Sequence, residues 1–547
     1  MLTFATVRSV LSIWGLLAAA LLAAPAPAAS AAAAGDPPAD AAKPAPKPEK
    51  SAFLAPVTTE HSITLAGGVT LAYTATAGYL PVLDNVTPDK PGTAKANIFY
   101  VSYVRKPAEP AATAEPAATA DPAAGASAMN AAAARPVTFA FNGGPGSSSV
   151  WLHMGALGPY RVPFGPEGES PVAPYAVVPN VYTWLEFTDL VFIDPPTTGF
   201  SRAAEGEAAS QFHGLEEDGR ALAEFIRLWL VRSQRWLSPK YLAGESYGTT
   251  RACQLATELQ QRHGINLAGL TLISPVLNFQ TLSFDTGNDL AFALFVPTYC
   301  ATALHHKRLA PAMQADPNGT LRSAEEFAIG PLMLALAKGD TLSAEMKQQT
   351  ARTLAGYMGV SPEFVLRHNL RVPLGPWSKE LLRDKSRTVG RLDGRYTGID
   401  RNDGGASPEF DASYSAIQGP FTAAVNAYIT GVLNFRSDGV YEILTGNVQP
   451  WNYPARNRYT NVAENLRRAM SENNDLRVLV LCGKTDLATP YFAMDYTTTH
   501  LGLDPAIRPN ITSKLYEAGH MMYLRQGDLS AMTEDVRQWY NARVKAK

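Results

Sequence analysis

The chain has 547 residues, of which 46% are hydrophobic and 18% charged, an ordinary globular composition. That length fits several small domains or one large enzyme core with an insertion, and a core of that size needs no metal or disulfide staple. A net charge of −2, from 47 basic and 49 acidic residues without a long basic run, argues against nucleic acid as a partner, and three scattered cysteines (Cys253, Cys300 and Cys482) exclude a disulfide framework or a zinc site.

Arg8 opens the chain with a small positive charge, Val10 to Ala24 is apolar, and Ala-x-Ala-like sites follow between Ala26 and Ala34. This pattern predicts a signal peptide over 1–30 and export to the periplasm or the medium. The competing reading is a membrane anchor, but the apolar run of about 15 residues falls short of the ~20 that span a bilayer. No stable membrane span is expected after cleavage. Residues 31–50 are Ala, Pro, Lys and Asp, and are expected to form a disordered leader.

From His61, Ile63 and Leu65 lead into Gly67-Gly68, and Val69, Leu71 and Tyr73 lead out, the alternation of a β-hairpin. Asn97 to Arg105 reads as another strand. Residues 107–134 carry "AEPAATA" twice and almost no large apolar side chain, which predicts a disordered loop without function of its own. Short apolar strands then alternate with helical periods. The strands are Val137–Phe141, Leu190–Asp194, Tyr241–Gly244, Leu270–Ser274, Val478–Cys482 and Ser513–Tyr516. Between the second and third, Leu222, Phe225, Ile226, Trp229 and Leu230 form one helical face. The rhythm predicts an α/β fold with a mostly parallel central sheet and helices on both faces. Residues 285–469 break it with helical stretches, among them Ala324 to Lys338 and Phe421 to Asn434, and read as an inserted helical cap. The core is then 51–284 continued by 470–547.

The strand at 241–244 runs into Gly244-Glu245-Ser246-Tyr247-Gly248, and a helix with Ala252, Leu255, Ala256 and Leu259 on one face follows. A sharp strand-to-helix turn with small flanking residues exposes a serine hydroxyl beside a helix N-terminus. Such a hydroxyl needs a base, and the base an orienting acid. Of nine histidines, only His520 follows a strand in a glycine-flanked setting, Gly519-His520-Met521. Asp486 follows the strand at 478–482. The order Ser246, Asp486, His520 is that of α/β-hydrolases, and the three are expected at the ends of three successive core strands. After the strand at 137–141, Asn142-Gly143-Gly144-Pro145-Gly146-Ser147-Ser148 can turn its N–H groups inward. Oxyanion donors are expected at the N–H of Gly144 and of Tyr247. A phosphate loop is excluded for want of a Gly-Lys-Ser/Thr ending.

With these motifs, and with Asp194-Pro-Pro-Thr-Thr-Gly-Phe-Ser201, the sequence resembles the serine carboxypeptidases (peptidase family S10) from about residue 137 to 522. The resemblance implies an α/β-hydrolase fold with an inserted helical cap, the triad Ser246, Asp486 and His520, the oxyanion hole Gly144 and Tyr247, peptide substrates, and no metal or organic cofactor. It further implies that Asn142, the N–H of Gly143 and Glu245 hold the free carboxylate of a peptide C-terminus. Glu245 would then act as a neutral acid, because two carboxylates share a hydrogen bond only when one is protonated; otherwise it is a structural acid accepting backbone N–H groups. The sequence departs from the family at Ala156, where a second glutamate is common, at Ser147, where a disulfide cysteine is common, and at Met521-Met522-Tyr523, which lacks the usual proline. Low cysteine and high Ala/Pro content look bacterial. An esterase or acyltransferase on the same scaffold is the alternative, and an exported binding protein with a dead hydrolase fold the third reading.

Overall fold

The computed structural model describes residues 55–84, 89, 92–107 and 134–542. The expected signal peptide and leader, and residues 108–133 of the Ala/Pro-rich tract, lie outside the described residues. Nine strands form the body of one mixed sheet: β1 (Val57–Thr64), β2 (Thr70–Asp84), β3 (Thr93–Arg105), β4 (Val137–Phe141), β5 (Asp189–Ile193), β6 (Lys240–Glu245), β7 (Gly269–Ile273), β8 (Arg477–Gly483) and β9 (Ile511–Tyr516). Their order is β1-β2-β3-β5-β4-β6-β7-β8-β9, with the short strand Arg202–Ala203 beside β3. The hairpin strands β1 to β3 pair antiparallel, as does β3 with β5, and all pairs from β5 to β9 are parallel.

Alternation along the strands feeds two cores. Val137, Phe139 and Phe141 of β4 and Leu242 of β6 face one side, where α1 (Leu215–Arg232) and α2 (Tyr247–His263) supply Phe225, Trp229, Leu255 and Leu259. Ala140, Phe192, Ala243 and Leu481 face the other, where a C-terminal helix (Gln526–Ala542) supplies Leu529, Met532, Val536 and Trp539. The parallel strands are therefore buried on both faces, which is why they read as continuous apolar runs.

Between β7 and β8 the chain forms mainly helices. The expected helix at Ala324–Lys338 is broken: Pro317–Phe327 and Met333–Ala337 are joined by the π-turn Ala328–Leu332, which contains Pro331. Proline has no N–H to continue the ladder. The helix expected from Phe421 begins earlier, at Ala412, where Asp411 accepts the Ser413 N–H at 3.0 Å, and ends at Gly431. Cap signals rather than apolar period set that boundary.

Candidate active site

Ser246 joins β6 to α2 with φ 59° and ψ −130°. This backbone is costly for a residue with a Cβ, and two neighbours hold it. The Ser246 N–H donates to the Ile273 carbonyl at 3.0 Å and its carbonyl accepts from Thr249 N–H at 2.9 Å. The serine stays partly exposed while Glu245 and Tyr247 on either side are buried.

His520 and Asp486 meet at the ends of β9 and β8. His520 Nδ1 donates to Asp486 Oδ2 at 2.8 Å. The other oxygen, Oδ1, accepts the N–H groups of Ala488 and Thr489, each at 2.9 Å, so the carboxylate cannot swing away. Burial alone would depress the His520 imidazole, but the Asp486 charge and hydrogen bond outweigh it and hold it above the ordinary range. With Nδ1 engaged, Nε2 is the nitrogen free to take a proton. Among the described residues Ser246 Oγ makes no hydrogen bond to His520; in free enzymes such bonds are commonly long and tighten on substrate binding. The sequence placed the three residues on successive strands, but β7 stands between the serine strand and the acid strand. The extra strand contributes Ser274, whose Oγ donates to the His520 carbonyl at 2.7 Å and whose own carbonyl lies 2.9 Å from Thr489 Oγ1.

The glycine loop after β4 lies against the serine turn. A Cβ on Gly143 would sit 2.5 Å from Tyr247 N and 2.6 Å from Gly248 N, so only glycine lets these two backbones approach. Gly144 follows at φ 99°. The N–H groups of Gly144 and Tyr247 have no partner among the described residues. Beneath them Arg251, buried and paired with Asp218 at 2.5 Å, donates to the Asn142 carbonyl and fixes the loop from below.

The expected carboxylate readers are also together. Asn142 Nδ2 donates to Glu245 Oε1 at 2.9 Å, and Tyr523 OH donates to Oε2 at 2.6 Å. Burial pushes the Glu245 carboxyl up to about 7, against the opposing pull of His520 and the two hydrogen bonds. Ala156 is fully buried nearby and Ser147 accepts Trp151 Nε1–H at 2.8 Å. The stretch from Asp194 to Ser201 works at a distance: Gly199 pairs with Glu442, and Ser147 with Leu444, which fastens the 442–445 segment to the glycine loop.

Sequence reasoning missed four contributors. Thr489 had a visible signal, since Asp-x-x-Thr is a turn in which the acid side chain accepts N–H groups two and three residues on. Ser274 and Asp393 had none, because their partners are remote in the chain, and Tyr523 showed only as part of a departure from the family pattern. Asp393, from the segment before α-helix Ala412–Gly431, accepts Thr485 Oγ1 at 2.8 Å and Gly519 N–H at 3.0 Å.

Residues 126–294 match the family model "Serine carboxypeptidase". Through this segment, under half of its length, the chain is similar to the serine carboxypeptidase family. The chain is 33% identical over 141 residues to the pheromone-processing carboxypeptidase KEX1 of Yarrowia lipolytica, a stretch covering 25% of this chain and 21% of that protein. It is 33% identical over 167 residues to serine carboxypeptidase-like 36 of Arabidopsis thaliana, covering 29% and 32%. The matched stretches thus span about a fifth to a third of these relatives. The solved structure of KEX1(Δ)p, a prohormone-processing carboxypeptidase from Saccharomyces cerevisiae, superposes with a TM-score of 0.52 at 15% identity, over 86% of this chain and 91% of that one. The mixed sheet with helices on both faces is the α/β-hydrolase architecture. The matched segment contains Asn142 to Ser148 and Gly244 to Gly248; Asp486 and His520 lie beyond it. Among the described residues no helix is long and apolar enough to cross a membrane.

Proposed function

We propose that the protein is an exported serine carboxypeptidase that releases C-terminal amino acids from peptides through an acyl-enzyme on Ser246. Residues 1–30 are its export signal, 51–284 and 470–547 its hydrolase core, and 285–469 a cap. Ser246 Oγ attacks the last peptide carbonyl while His520 Nε2 takes its proton. Asp486 holds the imidazole and offsets its positive charge. The oxyanion forms against the N–H groups of Gly144 and Tyr247, each worth about 10²–10³ in rate. His520 then protonates the leaving amine, and the free amino acid departs. Water, deprotonated by His520, cleaves the acyl-enzyme by the reverse sequence.

The observation that carries the exopeptidase reading is Glu245: a buried carboxyl without a cationic partner in its hydrogen-bond set, adjacent in the chain to the serine. A neutral carboxyl there, with Asn142 and the Gly143 N–H, suits the free carboxylate of a peptide end. The test is a fluorophosphonate probe together with N-blocked dipeptides. The wild type should be labelled and should release the terminal amino acid. Ser246→Ala should lose the label and about 10⁴-fold or more of the activity. Undiminished release by that variant removes the mechanism. Labelling with ester cleavage but no release of terminal amino acids transfers the protein to the esterases or acyltransferases.

A further inference from the structure

Glu245 has two protein donors of different character. Asn142 Oδ1 accepts the Leu152 N–H at 3.1 Å, which fixes the amide so that Nδ2 faces Glu245 Oε1 at 2.9 Å. That side can only donate. Oε2 faces the hydroxyl of Tyr523 at 2.6 Å. A phenol both donates and accepts, so it tolerates the carboxyl with or without its proton, as an amide N–H or a cation cannot.

The local sequence makes room for this phenol. Tyr523 lies three residues after His520, so the loop that delivers the base also delivers the hydroxyl. Its ring, 1% exposed, passes over Gly155, where a Cβ would come within 2.6 Å of Cε2. The next residue, Ala156, is fully buried and brings no polar group to compete. Among the described residues the Tyr523 hydroxyl bonds to Glu245 alone.

We propose that Tyr523 is the positioning residue for substrate recognition: its hydroxyl holds the Glu245 carboxyl toward the terminal carboxylate of the peptide and accommodates the proton that the two carboxyl groups must share. The inference rests on the carboxypeptidase reading above. The charged groups that act on Glu245 are His520, which favours its ionised form, and Asp486, which opposes it; burial exceeds both and keeps the carboxyl neutral up to about 7. The Tyr523 hydrogen bond favours the ionised form, so its removal should extend the neutral form to higher pH while loosening the side chain.

The experiment measures kcat and KM of wild type and Tyr523→Phe between about pH 5 and about pH 8, on an N-blocked dipeptide with a free carboxylate and on the same dipeptide amidated. Phenylalanine keeps the ring over Gly155. At about pH 5, KM for the free acid should rise about tenfold with kcat within about twofold. The alkaline limb of the free-acid profile should move upward, and the amidated substrate should be unaffected. In a Glu245→Gln background the same substitution should add nothing, the mark of two residues acting as one unit. Equal losses on both substrates, or an unchanged KM on the free acid, overturn the role of Tyr523 and leave the carboxypeptidase reading intact. A wild type that does not prefer the free acid overturns both.

Discussion

Glu245 illustrates how one atom of hydrogen decides what a side chain can bind. Its carboxyl is pushed up to about 7 chiefly by burial. An ionised Glu245 repels a peptide carboxylate, whereas a neutral one shares a hydrogen bond with it. In the wild type, KM for free-acid peptides should therefore stay low below about pH 7 and climb above it, as the proton is lost. Glu245→Gln has no proton to lose. Its KM for free acids should be roughly level across that interval, with hydrolysis of carboxyl-blocked esters spared; steady-state kinetics across the pH range checks this, and an unchanged wild-type profile in the variant would show that Glu245 does not read the carboxylate. The candidate residues that short motifs mark (Ser246, His520 and the glycine loop) were legible in the sequence as candidates. Tyr523 was visible only as a departure, because nothing in Met521-Met522-Tyr523 says that the phenol reaches a glutamate remote in the chain.

At the level of elements, strand ends set the site and other loops hold it. The parallel strands were legible because burial on both faces writes continuous apolar runs. The strand order was less so, since β5 lies outside β4 and β7 separates β6 from β8, and such crossovers leave no local trace. The region between β7 and β8 was legible as helical but not as a support for the candidate site. Its Leu392 carbonyl accepts the His520 N–H at 2.7 Å, and the Gly394 N–H donates to the Thr485 carbonyl at 2.9 Å. Asp393 between them joins the acid loop to the base loop, with Arg395 as its ion-pair partner at 2.7 Å. Asp393→Ala leaves two buried donors and a guanidinium without their acceptor, at a cost of about 3–5 kcal/mol. It should also lower kcat about tenfold or more, on free-acid and amidated substrates alike, because the loop it frees carries His520. Denaturant titration and kinetics on the folded protein test the two halves separately. Lost stability with full kcat would reduce Asp393 to a purely architectural link.

Across the whole molecule, buried titratable groups pull stability in opposite directions as pH changes. Asp194, 1% exposed, accepts from Ser149 N–H at 2.9 Å, Ser149 Oγ at 2.8 Å and Tyr441 OH at 3.2 Å, and burial still pushes it up to about 6. In the unfolded chain it ionises near the ordinary carboxylate value of about 4. Its contribution is therefore complete below about pH 4 and is lost as pH rises through about 6. His153 stacks on Phe192 with centroids 4.2 Å apart and lies 2.7 Å from Tyr103 OH. Burial lowers it to about 3, so it stays neutral in the fold while the unfolded chain takes up a proton below about 6.5. Its contribution is complete above about pH 6.5 and is lost as pH falls toward about 3. Between about pH 4 and about pH 6 the two slopes oppose each other, each limited to about 1.4 kcal/mol per pH unit. Single variants should uncover them with opposite signs. Asp194→Asn removes the falling limb, so the urea midpoint should rise more steeply with pH than in the wild type. His153→Gln keeps a polar partner for Tyr103 but no titrating ring, so the midpoint should rise less steeply or fall. The slope, rather than the midpoint at any one pH, is the diagnostic quantity, because each substitution also disturbs local packing by an amount that does not depend on pH. Parallel slopes in all three proteins would mean that neither buried group changes its protonation on unfolding in this range.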